Sequence, residues 1–364
     1  MKPLVLTKYL VVYGLVHALV DAACILIILS GIGIRSDLLT YILLYNVLAF
    51  GLQLPFGWVI DKIHIPVLSA FAGCITVSSA LLLFPRPIAA TVLAGVGNAL
   101  FHVGGGTVSL NLRPRKAAMP GVFVAPGGIG LFAGGLMAKT QFFYPYYFSI
   151  VLISMGIIIL ILKSPAINYE IKKIHSFNFL AVIILLLLIT ICIRSAVGLS
   201  MKFPWKTGLT LPLFLAVSIA FGKGIGGFLS DFFGWITITV GGLLLSALLL
   251  FFGNHIPAIG IFGIFLFNMT MPVTLVAVSN LLPGRPGFSF GLTTVALVTG
   301  AIPTFFSYKK ILSNEPVSLT LILVSAVILF IALKLCNRDL SQQIIPPARF
   351  KPFINRNSSS GKSS

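Results

Sequence analysis

Twelve apolar stretches, each close to the length that crosses a bilayer, leave this chain few ways to fold. They run roughly over 9–30, 38–59, 66–84, 87–110, 120–140, 144–163, 178–200, 208–229, 234–252, 256–281, 286–307 and 317–336. A spanning helix needs about 20 mostly apolar residues, and most connections between these stretches are short. The expected fold class is an all-α membrane protein with twelve transmembrane helices in two parallel six-helix repeats.

Composition agrees. Of 364 residues, 58% are hydrophobic and 9% charged, with a mean hydropathy of +1.07, whereas a soluble domain averages about 25% charged residues. The net charge of +18 does not point to nucleic acid, because the bases sit in short loops between apolar stretches. With both ends inside, sixteen Lys and Arg fall on the cytoplasmic side and seven outside, the other two lying within helices. That bias orients membrane proteins, so both termini are expected in the cytoplasm of a multi-pass protein of the plasma (inner) membrane. The first stretch is longer than a signal-peptide core and is interrupted by His17 and Asp21, so a cleavable leader is not expected. Cys24, Cys74, Cys192 and Cys336 lie inside apolar stretches without CxxC spacing and read as packing residues. No nucleophile constellation or metal-ligand cluster stands out, so an enzyme is not expected, and neither is a cofactor.

The segment SPAINYEIKKIHSFN breaks the apolar pattern after the sixth stretch. Residues 1–163 then form one six-helix bundle, 164–177 a cytoplasmic linker, 178–336 a second bundle and 337–364 a polar, disordered tail. The halves look related. QLPFGWVIDK (53–62) ends the second stretch and KGIGGFLSDF (223–232) the eighth, so Gly57 and Asp61 match Gly227 and Asp231, and Gln53 matches Lys223. Parallel repeats of this kind are a transporter architecture, with the site between the halves near the bilayer midplane.

Ionisable residues narrow that site. Of seven acidic residues, Asp21 alone falls near mid-membrane, where such a group is costly and by default faces protein or a water-filled path. His17 lies one turn away on the same helix face. At 1.5 Å per residue, His17, His102 and Lys223 are each about 12 Å from the cytoplasmic surface and Asp21 about 18 Å; Arg194 falls in the outer half. A lone carboxylate between burial and nearby cations can take and release a proton, which makes Asp21 with His17 the expected proton-coupling pair. Gln53, His102, Arg194 and Lys223 are the expected substrate path, and Arg194 suits an anionic group. The opposing possibility is that Asp21 is a fixed ion-pair partner of Arg194 or Lys223.

Asp61 and Asp231 end their own helices, where a carboxylate is unfavourable and should seek another helix start or a base. Asp61 is expected to meet Arg285 and the start of the eleventh helix, and Asp231 to meet Arg113 or Arg115 and the start of the fifth, as crossed latches of a cytoplasmic gate. The glycines of the fourth and fifth stretches permit close packing and bending. VGGGTVS lacks the strand and GKS/T ending of a phosphate loop.

These motifs resemble the major facilitator superfamily, and more narrowly its fosmidomycin-resistance-like branch. The likeness rests on HALVD (17–21), QLPFGWVIDK (53–62), GVGNALFHVGGG (95–106) and LLPGR (281–285), in that order. The resemblance implies a proton-coupled antiporter exporting small molecules; together with the residues above, the expectation is a monomer in the bilayer that moves a small polar or anionic solute or drug by alternating access. The chain departs from the branch at Val103 and Gly104, where a Pro–Glu pair follows the Phe–His, and at 232–235, where FFGW replaces basic residues. Two alternatives stay open: an uncoupled uniporter, and a non-transporting helper or sensor that keeps the fold.

Overall fold

The computed structural model describes residues 3–32, 38–140, 144–162, 165–171 and 179–343. Twelve long helices account for nearly all of them: α1 Pro3–Ile32, α2 Leu38–Ile63, α3 Pro66–Leu82, α4 Pro87–Leu112, α5 Ala118–Thr140, α6 Pro145–Ile161, α7 Leu180–Ser200, α8 Thr210–Phe233, α9 Trp235–Phe252, α10 Pro257–Leu281, α11 Pro286–Phe305 and α12 Glu315–Gln343. Ten of these are long and apolar enough to cross a membrane, and α3 and α6 are shorter apolar helices. Each corresponds to one apolar stretch of the sequence. Six of them begin at proline (Pro3, Pro66, Pro87, Pro145, Pro257 and Pro286), where a missing N–H costs nothing because the first helical N–H groups have no partner in any case.

Boundaries and continuity differ from the sequence expectation in four places. The first helix starts at Pro3 rather than near Tyr9. The last runs to Gln343, so the stretch 337–343 is helical; the tail from 344 and most of the loop after α6 lie outside the described residues. A π-helical segment, Val47–Gly51, interrupts α2 just before Gln53. A turn at Met269–Thr270 divides α10. Apolar periodicity cannot signal the last two, since an inserted residue or a single turn leaves the stretch equally hydrophobic.

Packing repeats with a shift of six helices. In the first half α1 packs on α5, and α3 on α4 and α6; in the second, α7 packs on α11, and α9 on α10 and α12. Between the halves, α5 lies along α8 and α2 along α11, again equivalent pairs. The shift makes the repeat parallel, as the paired motifs of α2 and α8 imply. Lipid-facing positions carry exposed apolar side chains such as Val11, Leu15, Ile150, Leu245 and Phe330, while α4 is buried along most of its length. In lipid there is no hydrophobic drive between helices, so close backbone approach through small residues does much of the packing. At Gly57 any Cβ would overlap the Gly287 carbonyl, and this holds α2 and α11 at backbone contact.

Candidate functional site

Three helices bring the polar residues of the first half together. The four-residue spacing on α1 points His17 and Asp21 the same way, with His17 Nε2 3.2 Å from Asp21 Oδ2. Across from them on α4, His102 Nε2 lies 3.5 Å from Asp21 Oδ1 and 2.9 Å from His17 Nε2. Asn98, one turn before His102, donates its Nδ2–H to Asp21 Oδ1 at 3.1 Å. Helix α5 closes the third side with Gly127, where a Cβ would stand 2.5 Å from His17 Nε2 and 2.6 Å from Asp21 Oδ2. Only a glycine lets α5 cover this cluster. The rings of Phe101 and Phe123 flank His17 at centroid distances of 6.1 and 4.8 Å. The three ionisable groups are buried: His17 is 4% exposed, and Asp21 and His102 are each 8% exposed.

The outer nitrogens of the two histidines decide what the inner ones hold. His17 Nδ1 is 2.8 Å from the Phe123 carbonyl oxygen, and His102 Nδ1 is 2.9 Å from that of Asn98. A carbonyl only accepts, so both Nδ1 atoms carry hydrogen. In neutral rings both Nε2 atoms would then be bare lone pairs facing each other at 2.9 Å, beside a carboxylate that also only accepts. One proton on either Nε2 resolves the clash, because that N–H serves the other nitrogen or Asp21. The geometry thus leaves a place for one proton among His17, His102 and Asp21. The two histidines and Asp21 also offer ligand atoms within 4.8 Å of one another, but the two cations described next oppose a divalent ion.

The remaining path residues fall into two groups. Lys223 on α8 lies within electrostatic range of Asp21, His102 and Arg194. Both Lys223 and Arg194 are half-buried, and Arg194 Nε and Nη1 are enclosed with no hydrogen-bond partner. Among the described residues no Lys or Arg comes within ion-pair distance of Asp21; its close partners are His17, His102 and Asn98. Gln53, by contrast, is fully buried and turns its amide back onto the Ala49 carbonyl of its own helix at 2.6 Å. Asn98, the carbonyl of Phe123 and Gly127 complete the cluster although sequence reasoning did not single them out. A polar residue one turn before His102 in an apolar stretch was the available signal for Asn98.

At the ends of α2 and α8 the carboxylates find helix starts in the opposite half. Asp61 accepts from the Gly287 and Phe288 amides at 2.8 and 2.7 Å. Asp231 accepts from the Ala117 and Ala118 amides, both at 2.9 Å, and from the Trp235 indole N–H at 3.1 Å. An anion at a helix N-terminus meets unpaired N–H groups and the positive end of the dipole. The arginines do not join in: Arg113, Arg115 and Arg285 are exposed, and among the described residues none makes an ion pair with Asp61 or Asp231. Both oxygens of each carboxylate are already taken by backbone amides.

Residues 165–171, between the two halves, also touch this end. The Tyr169 ring stacks on His64 at 4.0 Å, and its hydroxyl is enclosed without a partner. Burial, with Asp61 nearby, holds the Tyr169 phenol above its ordinary range. The Glu170 carbonyl comes so near Gly284 that a Cβ there would stand 2.6 Å from it.

No protein-family model matches the chain, and no curated protein matches it. Solved structures do. A point-substituted form of the Escherichia coli fucose:proton symporter FucP aligns with a TM-score of 0.61 at 12% identity, covering 90% of this chain and 99% of that one. A FucP structure in the outward conformation, described as a major facilitator superfamily transporter, aligns with a TM-score of 0.59 at 11% identity, covering 89% and 99%. These neighbours are transporters rather than enzymes. The chain is an integral, multi-pass membrane protein with the major facilitator fold.

Proposed function

We propose that this chain is a secondary transporter of a small polar or anionic solute, working by alternating access and coupled to protons at Asp21 with His17. The observation that carries the reading is the buried cluster of Asp21, His17, His102 and Asn98, which needs a proton to satisfy its own hydrogen bonds. A uniporter in which Asp21 is locked by Arg194 or Lys223 is less well supported, because neither is an ion-pair partner among the described residues. Asp61 and Asp231, on the amides that start α11 and α5, serve as crossed latches on the cytoplasmic side, with exposed Arg285, Arg113 and Arg115 adding a positive rim. Transport by a monomer, in the plasma membrane and with both termini cytoplasmic, completes the reading. Export by proton antiport is the direction that the family resemblance implies.

The test is reconstitution of the full chain into vesicles loaded with a pH-sensitive dye and challenged with anions, sugars and drug-like cations. A substrate-evoked pH change in the wild type that disappears in Asp21→Asn is the expected outcome. Solute flux of equal size in both proteins, without proton movement, would overturn the coupling. Absence of flux for every solute would favour the non-transporting reading.

A further inference from the structure

The charges around the central site do not balance, and the imbalance has a definite size. Among the described residues, the formally charged side chains that share this region are Asp21, Arg194 and Lys223. Asp61 and Asp231 are engaged on amides at the helix ends, and Glu315 lies at the start of α12 beside His255. The neutral groups packed nearby are Cys24 and Tyr45, which border the cluster from α1 and α2, and Tyr13 farther along α1. With a proton on the histidine pair, the imidazolium cancels Asp21, and Arg194 and Lys223 leave a net charge of two. Without that proton the net charge is one. A half-buried cation inside the membrane without a counter-charge is unfavourable, and the Arg194 Nε and Nη1 groups are unmet donors.

We propose that Arg194 and Lys223 bind a solute carrying two negative charges, and that this dianion and the proton on the His17–His102–Asp21 cluster bind together and cross the membrane in the same direction. The inference rests on the proposed transport reading, keeps its proton coupling at Asp21 with His17, and replaces the antiport that the family resemblance implies with co-transport of a stated substrate class. Its logic is linkage. An anion seated between Arg194 and Lys223 favours a positive charge on the neighbouring histidine pair, and by reciprocity the proton favours the anion by the same factor. Antiport requires the opposite, with one ligand displacing the other. Net charge adds a second reason: the site with dianion and proton is neutral, the site with the dianion alone carries one negative charge, and the site with the proton alone carries two positive charges. The neutral, fully loaded state is the one best suited to being closed off inside the membrane.

Two measurements on the full chain test this. The first is calorimetric titration of the detergent-solubilised protein with sulfate, succinate, glutarate and 1,3-propanedisulfonate, in buffers of different ionisation enthalpy. Acetate and methanesulfonate are the monoanion controls. These dianions do not titrate above neutral pH, so any proton exchanged belongs to the protein. Net proton uptake on dianion binding is expected, reaching about 0.4 to 0.85 proton per dianion at the most favourable pH for a coupling of about 5- to 150-fold between the sites. Arg194→Gln and Lys223→Gln lose this binding. Arg194→Lys, which keeps the charge but not the planar donor set, retains part of it and shows that loss in the first two variants is not misfolding. Proton release on binding, or no binding of any dianion, overturns the proposal.

The second measurement is dye-loaded vesicles given the same dianions together with glucose and ethidium. Acidification of the lumen as a dianion enters supports co-transport. Alkalinisation means antiport, and dianion flux without a pH change means no coupling; either overturns the inference while leaving transport intact. Flux of glucose or ethidium alone overturns the substrate class only. No flux of any solute, with no binding, removes the transport reading itself.

Discussion

Gly127 is the residue on which the central cluster most depends without contributing a functional group. A methyl there would stand 2.5 Å from His17 Nε2 and 2.6 Å from Asp21 Oδ2, so either α5 backs away or the histidine turns out of line with His102. Gly127→Ala is expected to destabilise the protein by about 1–3 kcal/mol, the usual cost of overpacking a tight site, and to abolish substrate-evoked proton movement while the chain still reconstitutes. Thermal unfolding in detergent and the vesicle pH assay check the two parts separately. A variant with wild-type proton movement would show that the His17–His102 contact is dispensable. Much of this cluster was legible from the sequence. The four-residue spacing of His17 and Asp21 fixes their shared face, and counting along α4 places His102 at matching depth. The carbonyl of Phe123 was not legible, because a backbone acceptor has no sequence signature, and the signal for Asn98 was weak, because one asparagine in an apolar helix is usually bonded to its own backbone, as Asn46 and Asn268 are here.

At the level of helices, the crossed pairs α2–α11 and α5–α8 join the two halves at one end of the molecule. Each couples a glycine contact with a carboxylate on helix-start amides: Gly57 with Asp61, and Gly227 with Asp231. Asp61→Asn keeps the size but presents an NH2 group to one of two donor amides. The closed arrangement then loses about 1–3 kcal/mol, the cost of an unsatisfied buried donor. The expected result is faster labelling of a cysteine placed by Thr107→Cys, which lies beside Gly287, by a membrane-impermeant reagent applied from the cytoplasmic side. Gly57→Ala should act in the same direction, because its methyl forces α2 away from α11. Unchanged labelling in both would show that these contacts do not gate access. The sequence signalled the helix-start partners, since a carboxylate at its own C-terminus is misplaced. It suggested arginine partners as well, and the structure leaves those in solvent. Once two amides fill both carboxylate oxygens, a long side chain gains little by giving up its freedom and hydration.

For the whole molecule, the asymmetry of loop charge predicts orientation independently of the site. An epitope fused after Ser364 should be accessible only after the cytoplasmic side is exposed, and one placed in the α3–α4 turn near Arg86 only from outside. Matching accessibility from the opposite faces would invert the assignment of α2–α11 and α5–α8 as the cytoplasmic latches. The parallel repeat belongs to this scale too. Helix pairs recur with a shift of six, yet the two halves bring different chemistry to the centre: a proton-holding carboxylate cluster from α1 and α4, and two cations from α7 and α8.

The sequence alone determined the class of the protein. Runs of about 20 apolar residues can satisfy their backbone only as helices in lipid, loop charge predicts their direction, and a lone mid-membrane carboxylate marks the candidate site. Tertiary structure decided what that carboxylate meets. Whether Asp21 meets a fixed cation or a pair of histidines depends on how α1, α4 and α5 cross, and therefore on glycines whose value lies in the atoms they lack. The direction of the histidine lone pairs is set by two backbone carbonyls on other turns, and local sequence carries no information about them.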